Sequence, residues 1–140
     1  MEHPSRQGYD FGTLTEKIIG AAIEVHKRLG AGFQEVIYQR ALGVELAMLN
    51  LEFQREVDIP VYYRGEQVGI RRVDFVVEDC LVEIKARSTF QPEDYVQALS
   101  YIKASGYRVG LLLNFGAGKV EIKRLVNDHP HHHPDQQRNL

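Results

Sequence analysis

One helix set between two strands constrains this chain more than any other feature. The run CLVEIKA (80–86) reads as a strand, QPEDYVQALSYIKASG (91–106) as a helix, and YRVGLLLNFG (107–116) as a strand again. Within the helix, Pro92 suits the first position, Glu93 and Asp94 favour the positive end of the dipole, and Gly106 stops it. A helix between strands implies a crossover, so the sheet is expected to be mixed, with helices packed on its faces. The apolar GLLLNFG stretch agrees, being of the kind covered on both sides.

Upstream, TLTEKIIGAAIEVHKRLG (13–30) has helical period. Thr13 and Glu16 form a capping box, Leu14, Ile18, Ala21, Ala22 and Val25 recur on one stripe, and Gly30 closes the helix. A second helix is expected over 33–49, with Phe33, Val36, Ile37, Ala41, Val44 and Met48 as apolar positions and Asn50 as a left-handed cap. Two more strand-like runs follow: FQREVDIPVYYRG (53–65), where Pro60 suggests an edge or a bulge, and EQVGIRRVDFVVE (66–78) across a turn at Arg64-Gly65. CLVEIKA then follows across Glu78-Asp79, and KVEIKRLV (119–126) alternates as a last, half-exposed strand.

The order is therefore α-α-β-β-β-α-β-β, an α/β domain over 13–126 with an N-terminal extension, 1–12, and a His-rich tail, 127–140. The tail has no period and is expected to be disordered. A length of 140 residues suits one domain, and 44% apolar with 26% charged residues suits a globular one. The single cysteine, Cys80, excludes an internal disulfide and fits a cytoplasmic location. No apolar run is long enough to span a membrane, and the polar start lacks a secretory signal's apolar core. Net charge is −2, so contact with nucleic acid would need a local basic patch.

Three charges break the apolar hairpin VDFVVEDCLVEIKA (73–86). Alternation sets Cys80, Val82, Ile84 and Ala86 on one face of their strand and Leu81, Glu83 and Lys85 on the other. In the preceding strand Val73, Phe75 and Val77 are expected to share a face, opposite Arg72, Asp74 and Val76. A tight reversal at Glu78-Asp79 pairs Val77 with Cys80 and sets Asp74 across from Glu83 on one face. Opposed carboxylates repel. Either the face is open to water, or the pair shares a proton, or a cation sits between them. A hard divalent ion would be served by two carboxylates and a nearby carbonyl, with Lys85 alongside for a phosphate oxygen or for help with the attacking water. A solvated Glu–Lys face is the plain alternative.

Asp74, then Glu83-Ile84-Lys85, resembles the signature of the PD-(D/E)XK nuclease superfamily: an Asp ending one strand, then Glu or Asp, any residue, and Lys on the next. Val73 stands where a proline often precedes the Asp. The order of elements also fits that superfamily's core of a helix, three strands, a helix and a strand. GFQEVIY carries a narrower resemblance, through Gly32, Glu35 and Tyr38, to the GxxExxY protein family. With VHKRLGAGFQEVIY, DFVVEDCLVEIKA, YVQALSYIKASG and GLLLNFG it extends from residue 13 to residue 126.

The resemblance implies a restriction-endonuclease-like α/β/α sandwich with a mixed central sheet. It implies a Mg²⁺-dependent nuclease, with Mn²⁺ as the alternative ion, that hydrolyses phosphodiester bonds of DNA or RNA. Asp74 and Glu83 would hold the metal with the Ile84 carbonyl, and Glu35 would join them. Lys85 would assist the attacking water, and Gln97, four residues before Tyr101 on one helix face, would orient the assembly. The rival is a non-catalytic nucleic-acid-binding or protein-partner module that keeps the fold. A homodimer or another protein completing the substrate surface is a third reading.

Other residues weigh less. Glu35 is also a plain first-turn carboxylate, and Tyr38 a half-buried packing residue with a satisfied hydroxyl. His26 reads as structural, and His3, His129 and His131–His133 as terminal residues without a catalytic role. Arg71, Arg72 and Arg87 flank the acids, as backbone contacts or as solubilising residues. Cys80, at the turn, reads as inert. NFGAGK lacks the Gly-Lys-Ser/Thr ending of a phosphate loop.

Overall fold

Apolar residues on one stripe make helix α1 (Phe11–Leu29) amphipathic, and that stripe is buried: Leu14, Ile18, Ala21, Ala22 and Val25. The computed structural model describes residues 11–127, so the N-terminal extension, save its last two residues, and nearly all of the His-rich tail lie outside it. Helix α1 is already formed at Phe11, so Thr13 lies inside it and not at its cap. Gly30 ends the helix in a left-handed conformation, φ 72°, which costs glycine no Cβ clash.

Helix α2 (Glu35–Met48) turns a different face inward from the one expected. Tyr38, Gln39, Leu42, Gly43 and Leu46 are buried, whereas Phe33, Val36, Ile37, Val44 and Met48 are exposed and Ala41 is half-buried. Apolar side chains occur all round this helix, so period alone does not select a face. Tyr38 helps to decide it. Its hydroxyl donates to the Gly30 carbonyl at 2.6 Å and accepts from the Phe33 amide at 3.2 Å. Its ring stacks on Phe115 with centroids 4.8 Å apart. Tyr38 is thus fully buried, not half-buried. Asn50 is left-handed, as expected, at φ 58°.

Strands β1 (Phe53–Tyr63), β2 (Glu66–Val77), β3 (Cys80–Lys85), β4 (Val109–Asn114) and β5 (Glu121–Val126) form one sheet in the order β1-β2-β3-β4-β5. Helix α3 (Pro92–Ser105) makes the crossover that leaves β3 and β4 parallel; the other neighbours are antiparallel. Pro60 therefore lies on an edge strand, where the lost amide donor is cheapest. Helices α1 and α2 cover one face, packing on Phe75, Val77, Val82, Ile84, Leu111 and Leu113. Helix α3 covers the other, setting Ala98 and Ile102 against Leu81, Leu112 and Leu125. Strand β4 is buried along its whole length. The result is the expected α/β/α sandwich around a mixed sheet. Among the described residues no helix is long and apolar enough to cross a membrane.

The alternation expected of β2 fails at one point. Phe75 and Val77 face α1 and α2, but Val73 belongs with the core under α3. The partner strand changes face at the same level: Phe53 packs with the first core, Val57 and Ile59 with the second. Between them Glu56 is left-handed, φ 57°, and neither Glu56 nor Asp74 is paired while Arg55↔Phe75 and Val57↔Val73 are. The double strand is wrenched where Asp74 stands.

Candidate active site

The hairpin register is the one the sequence implied: Val77 pairs with Cys80, Val76 with Leu81 and Phe75 with Val82. Glu78 takes the turn with φ 51°. The next pair would be Asp74 with Glu83, and there the ladder stops. Side chains take over the backbone's bonds. The Asp74 amide donates to Glu83 Oε1 at 3.0 Å, and the Ile84 amide donates to Asp74 Oδ2 at 2.8 Å. Each acid thus holds the other's strand, which brings the two carboxylates together in a gap between β2 and β3.

Their other oxygens are held by a residue of α2 and by one of β2. Gln39 of α2, 6% exposed, donates its amide to Asp74 Oδ1 at 2.9 Å. On the opposite side Arg71 Nη2 donates to Glu83 Oε2 at 2.6 Å, and its guanidinium lies 4.4 Å from the centre of the Tyr101 ring on α3. Gln39 escaped the sequence reading because an inward glutamine on a helix looks like any other polar residue. Its one signal was its spacing, four residues after Glu35.

Burial, and then the Asp74 charge, push the Glu83 carboxyl up to about 7, against the pull of Arg71 and of the Asp74 amide. Such a pair accepts positive charge, whether a proton or a cation. Each of the four carboxylate oxygens takes one hydrogen bond, which leaves each a further lone pair. Hard oxygen donors at adjacent strand positions with surplus negative charge fit a divalent ion of the Mg²⁺ kind.

Lys85 follows on the same face of β3 as Glu83. Its ammonium lies 3.9 Å from Asp94 Oδ1 at the start of α3, and Arg87 Nε lies 2.8 Å from Asp94 Oδ2. Asp94, 3% exposed, also accepts from the Gln91 amide at 3.1 Å, so one carboxylate caps the helix and gathers both cations. Lys85 is thus paired with Asp94, and Gln97 is exposed one turn before Tyr101. Glu35 is exposed in the first turn of α2, one turn before Gln39. Among the described residues no three or more His, Cys, Asp or Glu side chains are grouped so as to hold a metal.

The lesser candidates resolve simply. His26 is structural, its Nε2 lying 2.9 Å from the Ala117 carbonyl. Arg72 pairs with Asp58 on the surface at 2.9 Å. Cys80 is buried, and burial pushes its thiol up to about 12, which makes it inert. NFGAGK joins the ends of β4 and β5. His3, His129 and His131–His133 lie outside the described residues.

Residues 12–125 match a family model for the PD-(D/E)XK nuclease superfamily. The crystal structure of SSO0001 is similar with a TM-score of 0.49 and 16% identity, over 65% of this chain and 48% of that one. This chain thus spans about half of that protein's length. No curated protein matches the chain.

Proposed function

This chain belongs to the PD-(D/E)XK nuclease superfamily and has its restriction-endonuclease-like fold, and on that premise we propose that it is a Mg²⁺-dependent nuclease acting on DNA or RNA. Within the superfamily we assign it to the GxxExxY proteins, on Gly32, Glu35 and Tyr38. The observation that carries the activity is the broken ladder, where Asp74 and Glu83 each accept an amide from the opposite strand, on the face of β3 that also carries Lys85. Asp74, Glu83 and the Ile84 carbonyl hold the ion, with Mn²⁺ able to replace Mg²⁺. When bound, the ion supplies Lewis-acid charge that stabilises the negative charge developing on phosphate. Gln39 fixes the Asp74 carboxylate, and Arg71 is the counter-charge to that of Glu83. Lys85 orients the attacking water and adds positive charge at the scissile phosphate. Glu35, a turn from Gln39, would join the acids through a water or a second ion, and Gln97 would orient the assembly from α3. The buried lone cysteine suits the cytoplasmic location we propose.

Purified protein is titrated with Mg²⁺ or Mn²⁺ in the presence of single- and double-stranded DNA and RNA. Cleavage that needs the ion and disappears in Asp74→Ala and Lys85→Ala, by at least about a hundredfold, supports the assignment. Nucleic-acid binding without cleavage in the wild type would make the chain a non-catalytic binding module, alone or completed by a second copy or another protein.

A further inference from the structure

One cation already stands at the acidic pair. Arg71 Nη2 is 2.6 Å from Glu83 Oε2, and the guanidinium lies over Tyr101 at 4.4 Å. That hold is incomplete in two respects. Arg71 Nε is buried with no hydrogen-bond partner, and the ion pair uses Nη2 alone, where a guanidinium can grip a carboxylate through two parallel bonds. Its side chain is 30% exposed, whereas that of Glu83 is 10% exposed. The arginine can therefore swing out, and the glutamate stays. We propose that Arg71 is a tethered counter-cation that competes with the divalent ion for Glu83.

The proposal rests on Asp74 and Glu83 being the cation site. Two carboxylates in a partly buried gap need compensating charge, and a guanidinium from the neighbouring strand supplies it. A divalent ion brings twice that charge to both acids at once. It then faces a positive group a few ångströms away in a medium of low dielectric, and one of the two must yield ground. Arg71 is the partner that can, because leaving costs it one ion pair and a ring contact and frees its buried Nε to reach water. The physical consequence is a weakened, and hence adjustable, affinity for the ion. A purely structural arginine predicts the reverse: without it Glu83 would lose its orientation and the ion would bind less well.

Calorimetric Mn²⁺ titration of the full chain separates these, comparing wild type, Arg71→Met, Arg71→Lys and an Asp74→Ala control. Arg71→Met should bind Mn²⁺ about tenfold or more tightly than wild type, while Arg71→Lys, which keeps the charge, should stay near wild type. Arg71→Gln, neutral but still a donor to Glu83, should behave as Arg71→Met and replaces it should that variant fail to fold. The proposal is overturned when the neutral variants bind equally or more weakly, or when Arg71→Lys tightens as much as they do. An Asp74-dependent site in wild type that Arg71→Met leaves unchanged overturns this inference alone. The absence of Asp74-dependent Mn²⁺ binding in wild type and Arg71→Met alike overturns it together with the metal-site assignment.

Discussion

Among the described acids, Glu83 is the one whose chemistry its position alters most. Its carboxyl is moved from 4.5 to about 7, by burial first and by Asp74 second. A carboxyl raised in the folded state favours folding when protonated, so its contribution is complete below about pH 4.5 and is lost as pH rises through about 7. The difference is worth about 3 kcal/mol at most. Protein stripped of divalent ions should therefore melt lower at about pH 8 than at about pH 5.5, and Glu83→Gln should flatten that slope. Thermal melts across this range check it; an unchanged slope in the variant would give the pH dependence to other groups. At this scale the sequence was a good guide to what strand alternation governs, namely Glu83 and Lys85 on one face. It was a poor guide to the partners of the charged groups, since Gln39 reaches Asp74 and Asp94 reaches Lys85 from helices whose packing no local pattern encodes.

Among the elements, the end of β4 fixes the path by which the chain leaves β3. Asn114 is fully buried; its carbonyl oxygen accepts from Arg87 and Gly116 amides at 2.8 and 3.2 Å, and its amide donates to Arg87 O and Glu121 Oε1 at 2.9 and 2.8 Å. Phe115 adds a backbone bond to the Lys85 carbonyl at 2.9 Å. So close is the approach that a methyl group on Gly116 would collide with the Arg87 backbone, whereas one on Gly118 would meet nothing within 4 Å. Gly116→Ala should cost about 2 kcal/mol or more in denaturant unfolding, and Gly118→Ala less than about 0.5 kcal/mol. The same substitution at Gly116 should reduce any cleavage, because the strain falls one peptide beyond Ala86, next to Lys85. Equal unfolding midpoints for the two variants would mean that the close approach of Gly116 to Arg87 does not hold the chain there. Of the elements themselves, the crossover and the hairpin register were legible because period, turn residues and topology rules agree. The inward face of α2 was not, since its apolar residues surround it. Nor was the wrench at Asp74, which depends on a left-handed Glu56 with no glycine or asparagine to announce it.

For the molecule as a whole, the acidic pair ties together what folding must bring from afar. Asp74 bonds α2 through Gln39 and β3 through Ile84, while Glu83 reaches α3's layer through Arg71 over Tyr101. An ion gripped by both acids would bind only the chain in which these parts have met, so its binding energy adds to folding energy. Free Mg²⁺ at about a hundred times its dissociation constant should stabilise the fold by about 2.7 kcal/mol. For a domain of this size that is roughly 5–10 °C in melting temperature. Asp74→Ala should abolish the rise. Mg²⁺ is the ion to use, since imidazoles favour softer metals and the histidines at 129 and 131–133 then add little. A Mg²⁺-dependent rise that survives in Asp74→Ala would mean that the ion binds somewhere other than between β2 and β3. In that case the surplus charge on Glu83 would be met by Arg71 and a proton alone, and the gap would serve the fold rather than catalysis.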